Sequence, residues 1–256
     1  MIPGNGGVGQ QLDTGALSLP WGTVTLAEPT REIQYKILVE EVKAKGFERL
    51  GLMTSESWRN DPKHLVFSLA RYKFVAQMFA DREKVLEIGC GDAFGTRIVR
   101  QRVKSLTAAD FDPLFINDAA ARLSPPWTFD LLVHDLRNGA VPGRYDALYA
   151  LDVLEHIPPE DELDFLETLL SSLDVNGAAI IGMPSLESQQ YASEQSRIGH
   201  VNCKSAPDLK SLMEKFFYNV FMFSMNDEMI HTGFHKMAHY LIALCSGRRL
   251  AAKAVE

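Results

Sequence analysis

The sequence predicts a doubly wound α/β fold, a mostly parallel sheet with helices on both faces and a helical addition before it. Three observations lead there. From residue 82 onward, short apolar runs alternate with amphipathic stretches, a rhythm that needs crossover connections and so parallel strands. The first strand-to-helix joint, residues 88–96, is rich in glycine. After residue 205 a helix-like stretch is followed by two long apolar runs that complete the sheet as strands.

Residues 1–29 are rich in Gly and Pro with little periodicity and read as a loosely ordered arm. Residues 30–81 form the helical addition. Ile33, Ile37, Leu38 and Val42 recur at helical spacing within Glu32–Lys45. A second helix is expected from Lys63 to Ala80, with Leu65, Leu69, Tyr72, Val75, Ala76 and Phe79 on one face. Asp61-Pro62 resembles an N-cap followed by Pro at the first helical position.

Residues 82–246 form the main domain. Its strands are expected at 84–88, 105–110, the run WTFDLLVHD, 145–152 and 178–184, the last entered through an Asn176-Gly177 turn. Helices are expected at FGTRIVRQRV, at Pro113–Arg122 behind an Asp112 cap, at Glu160–Leu173, and near Pro207–Lys215. The runs FFYNVFMFSM and HKMAHYLIALC supply the final strands. The polar stretch 185–204 reads as an insertion on the substrate side, and 247–256 as a tail.

Composition narrows the partners. The 256 residues carry 26 Lys and Arg against 33 Asp and Glu, a formal charge of −7. No basic face is visible and Arg248-Arg249 is too short to make one, so nucleic acid is not an expected substrate. Cys90, Cys203 and Cys245 form no CxxC pair, which argues against a disulfide framework or a zinc ribbon. The first residues lack a basic segment followed by an apolar one, and no apolar run approaches the ~20 residues that span a bilayer. No membrane partner is expected, and the cytoplasm is the expected compartment.

The strongest local signal is Val85-Leu86-Glu87-Ile88-Gly89-Cys90-Gly91-Asp92-Ala93-Phe94-Gly95. It lies where a strand ends and a helix begins, the place where open α/β sheets bind ligands. Glycine lets the backbone turn sharply and approach a ligand closely, and a helix N-terminus offers free N–H groups to a carboxylate or phosphate. What sets it apart is Glu87, two residues before Gly89, with the spacing GxGxxxG rather than GxGxxG.

VLEIGCGDAFG resembles the first motif of the class I S-adenosylmethionine-dependent methyltransferases. LDVLEHIP at 151–158 closely resembles that family's DVLEHV signature, as found in small-molecule O-methyltransferases. The resemblance runs motif by motif over roughly residues 82–184. It implies a Rossmann-like, seven-stranded sheet with an antiparallel last strand, and S-adenosyl-L-methionine as cofactor. It also implies a cofactor site made of Glu87, Gly89, Cys90 and Gly91 around the methionyl part, and Asp110 on the ribose hydroxyls. Phe111 is placed on the adenine ring, Asp135 and Leu136 beside the adenine, and Leu151 at the end of the fourth strand. Asp110 and Asp135 also have plainer readings as a loop acid and as a partner of Arg137.

His156 lies just past the fourth strand, and imidazole titrates near neutrality. It reads either as a general base or wall of the acceptor pocket, or as a structural histidine bonded to backbone. His200 is a second candidate on the substrate side, against a plain loop histidine. His231, His235 and His239 recur every four residues, but Gly233 argues against a helix there, so no metal site is expected. The expected activity is methyl transfer to a small molecule, at oxygen, with a saccharide or other polar metabolite fitting the few aromatic residues of 185–204. The alternatives are N- or protein methylation, an NAD(P)-dependent oxidoreductase on the same topology, and a binding module without turnover. NPPY, the mark of amino-group methylases, is absent, as is the Tyr-xxx-Lys of a nicotinamide enzyme.

Overall fold

The computed structural model describes residues 16–19, 22–25 and 30–249, and the chain forms two compact units, residues 1–49 and 50–256. In the first, β1 (Ala16–Leu19) and β2 (Gly22–Thr25) pair antiparallel, Ala16 opposite Thr25. Part of the expected arm is thus a hairpin; the rest of it lies outside the described residues. A 3-10 turn at Ile33–Tyr35 leads into α1 (Lys36–Lys45), which stops at Gly46 with φ 80°.

The second unit opens with two helices, α2 (Leu52–Asn60) and α3 (Pro62–Met78). The sequence reading missed α2, where Gly51, the residue before the helix, offers no side chain to cap it. Pro62 starts α3 as expected, but Asp61 makes no capping bond. Residues 50–81 belong with the sheet because Val75, Ala76 and Phe79 are buried against it.

The sheet then follows in the expected alternation. β3 (Lys84–Ile88), α4 (Thr96–Arg100), β4 (Ser105–Asp110), α5 (Pro113–Ala120), β5 (Asp130–Val133) and β6 (Tyr145–Leu151) come first. α6 (Glu162–Ser171), β7 (Leu173–Pro184), α7 (Glu194–Gly199) and α8 (Ala206–Met213) come next. β8 (Phe217–Asn226), β9 (Met229–His231) and β10 (Tyr240–Arg248) close it. Asp112 caps α5 by accepting from Leu114 N at 2.8 Å, as its place before Pro113 predicted.

The strand order is β5-β4-β3-β6-β7-β10-β8-β9. β3 to β7 are mutually parallel, and β10 runs antiparallel to both β7 and β8. The seven expected strands form; the eighth, β9, adds only three residues to the edge beyond β8. Asn176-Gly177 does not end a helix-to-strand turn but sits within β7, where the pairing with β6 jumps from Tyr145↔Leu173 to Ala147↔Ala178. The turn signal is spent as a bulge.

Burial alternates along each strand with period two. Leu148 and Ala150 of β6 face the layer of α6 and α8, while Ala147, Tyr149 and Leu151 face α3, α4 and α5. Both faces are covered, which is why the central strands read as unbroken apolar runs. The chain moves outward from β3 to β4 and β5, then returns to β6 on the other side of β3. The carboxyl ends of β3, β4 and β6 therefore flank a switch point in the winding, where open α/β sheets hold ligands. Among the described residues no helix is long and apolar enough to cross a membrane.

Candidate active site

The loop after β3 is built around two glycines in the left-handed region, Gly89 at φ 73° and Gly91 at φ 51°, where a Cβ costs roughly 1–2 kcal/mol. A Cβ on Gly89 would also stand 2.3 Å from Val153 Cγ2, so the loops after β3 and β6 meet here. Cys90 is a packing group, its thiol pushed up by burial and the neighbouring carboxylates. α4 has only five residues, so the N–H groups facing the crevice come chiefly from the loop.

Asp92 holds this loop, a role the sequence reading missed. Its carboxylate accepts from Thr54 N at 2.8 Å and from Thr54 Oγ1 at 3.2 Å, capping α2 from another part of the chain. Asp118 accepts from Leu52 N at 3.3 Å, and Arg122 donates both to Asp118 and to the Asp92 carbonyl. Ala93, at φ 52° without being glycine, is kept in its strained position by these anchors.

Asp110 ends β4 and is 7% exposed. Its two oxygens accept from Gly91 N and from Asp112 N, both at 2.9 Å. The carboxylate thus faces the glycine loop, and each oxygen keeps a second lone pair for a further donor. The next residue, Phe111, is 67% exposed, an open ring face beside that acid. Asp135 is tied to Arg137 through both oxygens and caps the 3-10 turn that follows. Leu136 and Leu151 are packed into the two core layers, so only their backbone is open to a ligand.

Glu87 differs from its expected place at the ligand. Its side chain is 1% exposed and turned inward, accepting from Thr96 Oγ1 at 2.6 Å, with the Tyr72 and Tyr149 rings around it. Tyr149 Oη lies close without a hydrogen-bond partner. Burial is the chief cause that raises the Glu87 carboxyl from 4.5 to about 7. Between those two values the folded chain holds a proton that the unfolded chain has lost, so stability falls as pH rises through this window, by about 3 kcal/mol in total. Glu87→Gln is expected to flatten the melting-temperature profile between pH 5 and 7, to melt higher than the parent at pH 8, and to leave S-adenosylhomocysteine affinity within a few-fold. A steeper profile, or a large loss of affinity, overturns the inward placement.

Past β6 the chain is again strained. Asp152 sits at φ 57°, and Arg71 of α3 donates to its two oxygens at 2.9 and 2.7 Å. The buried guanidinium lies 3.7 Å over the centre of the Tyr240 ring. Nothing in sequence links Arg71 to a residue 81 positions on.

Glu155, within the signature motif, is fully buried, and neither carboxyl oxygen has a hydrogen-bond partner. Burial first, then Asp152, push it up to about 9. Its backbone carbonyl accepts from Val201 N at 2.9 Å and Asn202 N at 3.0 Å, which pins the end of the 185–204 stretch against the β6 loop. That stretch is not a plain loop: it holds a 3-10 segment, Glu187–Tyr191, and α7.

The two candidate histidines meet there, their ring centres 5.3 Å apart. His156 Nδ1 lies 2.9 Å from the Gly199 carbonyl. A carbonyl only accepts, so Nδ1 carries the proton and Nε2 keeps its lone pair. His200 Nδ1 lies 2.9 Å from Gln189 Oε1, and Gln189 Nε2 donates to the Ser185 carbonyl at 3.1 Å, which orients that amide. Burial, then His156, lower the His200 pKa, favouring the neutral ring. His231, His235 and His239 lie on β9, a 3-10 turn and a loop, each in its own surroundings, as Gly233 had suggested.

Residues 85–177 match the family model described as "Methyltransferase domain". Over these residues the chain is similar to a methyltransferase domain. Over 127 residues it is 31% identical to the mitochondrial ubiquinone biosynthesis O-methyltransferase of Schizosaccharomyces pombe, 46% of this chain and 45% of that protein. The chain thus spans less than half the length of this curated relative. Its fold is similar to that of the N-methyltransferase NodS from Bradyrhizobium japonicum WM9 with S-adenosyl-L-homocysteine (TM-score 0.57, 18% identity, 74% of this chain and 91% of that one). It is also similar to the plantazolicin methyltransferase BpumL (TM-score 0.56, 13% identity, 77% and 89%).

S-adenosylmethionine is the cofactor of such a methyltransferase domain, and the residues present suit it. Asp110 offers unsatisfied lone pairs at the strand end, the glycine loop offers backbone without Cβ atoms, and Phe111 offers an exposed ring.

Proposed function

We propose that this chain transfers a methyl group from S-adenosylmethionine to a hydroxyl oxygen of a small molecule. The observation that carries the reading is the pair His156 and His200 on the ligand-binding edge of the sheet, each with Nδ1 engaged and Nε2 left as an acceptor. The O-methylating relative supports oxygen as the atom modified.

The bound cofactor supplies a methyl already activated on a sulfonium, so the protein's part is to align the acceptor and manage one proton. As the S–C bond breaks and the O–C bond forms, the hydroxyl proton passes to an imidazole Nε2, the kind of transfer a neutral histidine performs at neutral pH. His156 is the more exposed of the two and takes that role; His200 lines the acceptor side. Asp110 and the Gly89–Gly91 loop hold the nucleoside end. Leu186, Tyr191 and Ile198 of the 185–204 stretch are exposed and read the acceptor's apolar part.

Incubation with methyl-labelled S-adenosylmethionine and a panel of phenols, catechols, saccharides and amines tests this, with products read by mass spectrometry. A methyl ether is the expected product. His156→Gln is expected to lower its rate about a hundredfold while S-adenosylhomocysteine binds as in the parent. Label found only on nitrogen or on protein overturns the reading.

A further inference from the structure

We infer that Glu155, His156 and His200 form a binding site for a divalent first-row transition cation. Each of the three offers one ligand-type atom, and these atoms lie within 4.8 Å of one another. The residues come from two places in the chain, the turn after β6 and the residue after α7, and the fold fixes their approach through the two backbone bonds from Val201 and Asn202 to the Glu155 carbonyl.

The surroundings of the three side chains point to a ligand. Metal-binding histidines typically give their other ring nitrogen to a carbonyl or carboxylate, which sets the tautomer and aims the free lone pair. Both imidazoles here have that arrangement, His156 on the Gly199 carbonyl and His200 on the Gln189 side-chain oxygen. Glu155 supplies an independent observation. A carboxyl group with no exposed surface and no partner for either oxygen is costly to bury, and a cation shared with the two imidazoles removes that cost. Arg71, the nearby fixed cation, is matched by Asp152 and leaves Glu155 free for another positive charge.

Two imidazoles and one carboxylate make a nitrogen-rich set suited to zinc, manganese, cobalt or nickel rather than to calcium, which prefers oxygen alone. Three protein ligands also leave positions open for an exchangeable oxygen. With a cation bound, His156 and His200 would serve as its ligands, and the cation would take the place of the imidazole base by easing loss of the acceptor hydroxyl's proton to solvent. This last step rests on the methyl-transfer reading, whereas the binding site does not.

The test is binding to the full chain. The protein, stripped with a chelator and dialysed, is titrated with ZnCl2, MnCl2 and CoCl2 by calorimetry, and the cobalt form is read by its visible absorption. One equivalent is expected to bind at micromolar concentration or tighter, with nitrogen-ligated cobalt bands. Glu155→Gln and His200→Gln are each expected to weaken binding at least tenfold, and His64→Gln to leave it unchanged. Glu155→Gln keeps the side chain's size and breaks no hydrogen bond, and His200 is only partly buried, so both variants keep the fold. Binding absent to 1 mM, or retained unchanged in both ligand variants, overturns the site. An intact cation site in a chain that methylates nothing in the panel overturns only the function proposed above.

Discussion

Replacing Asp110 with alanine is expected to weaken S-adenosylhomocysteine binding by about a hundredfold. The carboxylate ends β4 with each oxygen already holding one backbone N–H and with one lone pair to spare. Two hydrogen bonds from a nucleoside's ribose to an ionised group contribute about 1.5–3 kcal/mol apiece, so losing both amounts to at least about 3 kcal/mol and two powers of ten in affinity. The same change strips the Gly91 and Asp112 N–H groups of their acceptor, so the loop loses shape as well as charge. Asp110→Asn keeps one acceptor and the fold of the loop, and is expected to lose about tenfold. Calorimetric titration of the three proteins reads these values directly. A loss under fivefold in the alanine variant, with an unchanged circular dichroism spectrum, contradicts the assignment of Asp110 to the cofactor.

The second large effect is on stability. Arg71→Met is expected to lower the melting temperature by roughly 5–15 °C. The guanidinium is buried, stacked on Tyr240 and bonded to both oxygens of Asp152. Removing one member of a buried pair costs about 3–5 kcal/mol. The Asp152 side chain is 43% exposed, so solvent takes over part of the loss and about 2–4 kcal/mol remains. Asp152 sits in the left-handed region that Asn tolerates, which makes Asp152→Asn a clean second arm of a double-mutant cycle. Coupling of about 1 kcal/mol or more is expected. Additive effects within 0.3 kcal/mol would show that Arg71 acts through Tyr240 alone.

Arg71 also marks the limit of sequence reading. α3 was legible from its apolar spacing, and β3 to β7 from their rhythm, because these features depend on residues three, four or two positions apart. The glycine loop and Asp110 were legible for a related reason, since a strand end followed by a helix start is a local event. Asp92 capping α2, Arg71 holding Asp152 and Glu87 turned toward Thr96 depend on partners 38, 81 and 9 positions away. In the sequence each is only a charged residue.

By itself, then, the amino-acid order determined the alternation of strands and helices, the sharp turn at 89–91 and the presence of histidines at 156 and 200. Tertiary structure decided which charges are buried and what they face. Only packing between the β6 turn and the 185–204 stretch brings Glu155 beside the two histidines and denies its carboxyl both water and a partner. The physical reason is that burial and pairing are properties of a surface removed from water by distant segments. No local pattern of residue types encodes them.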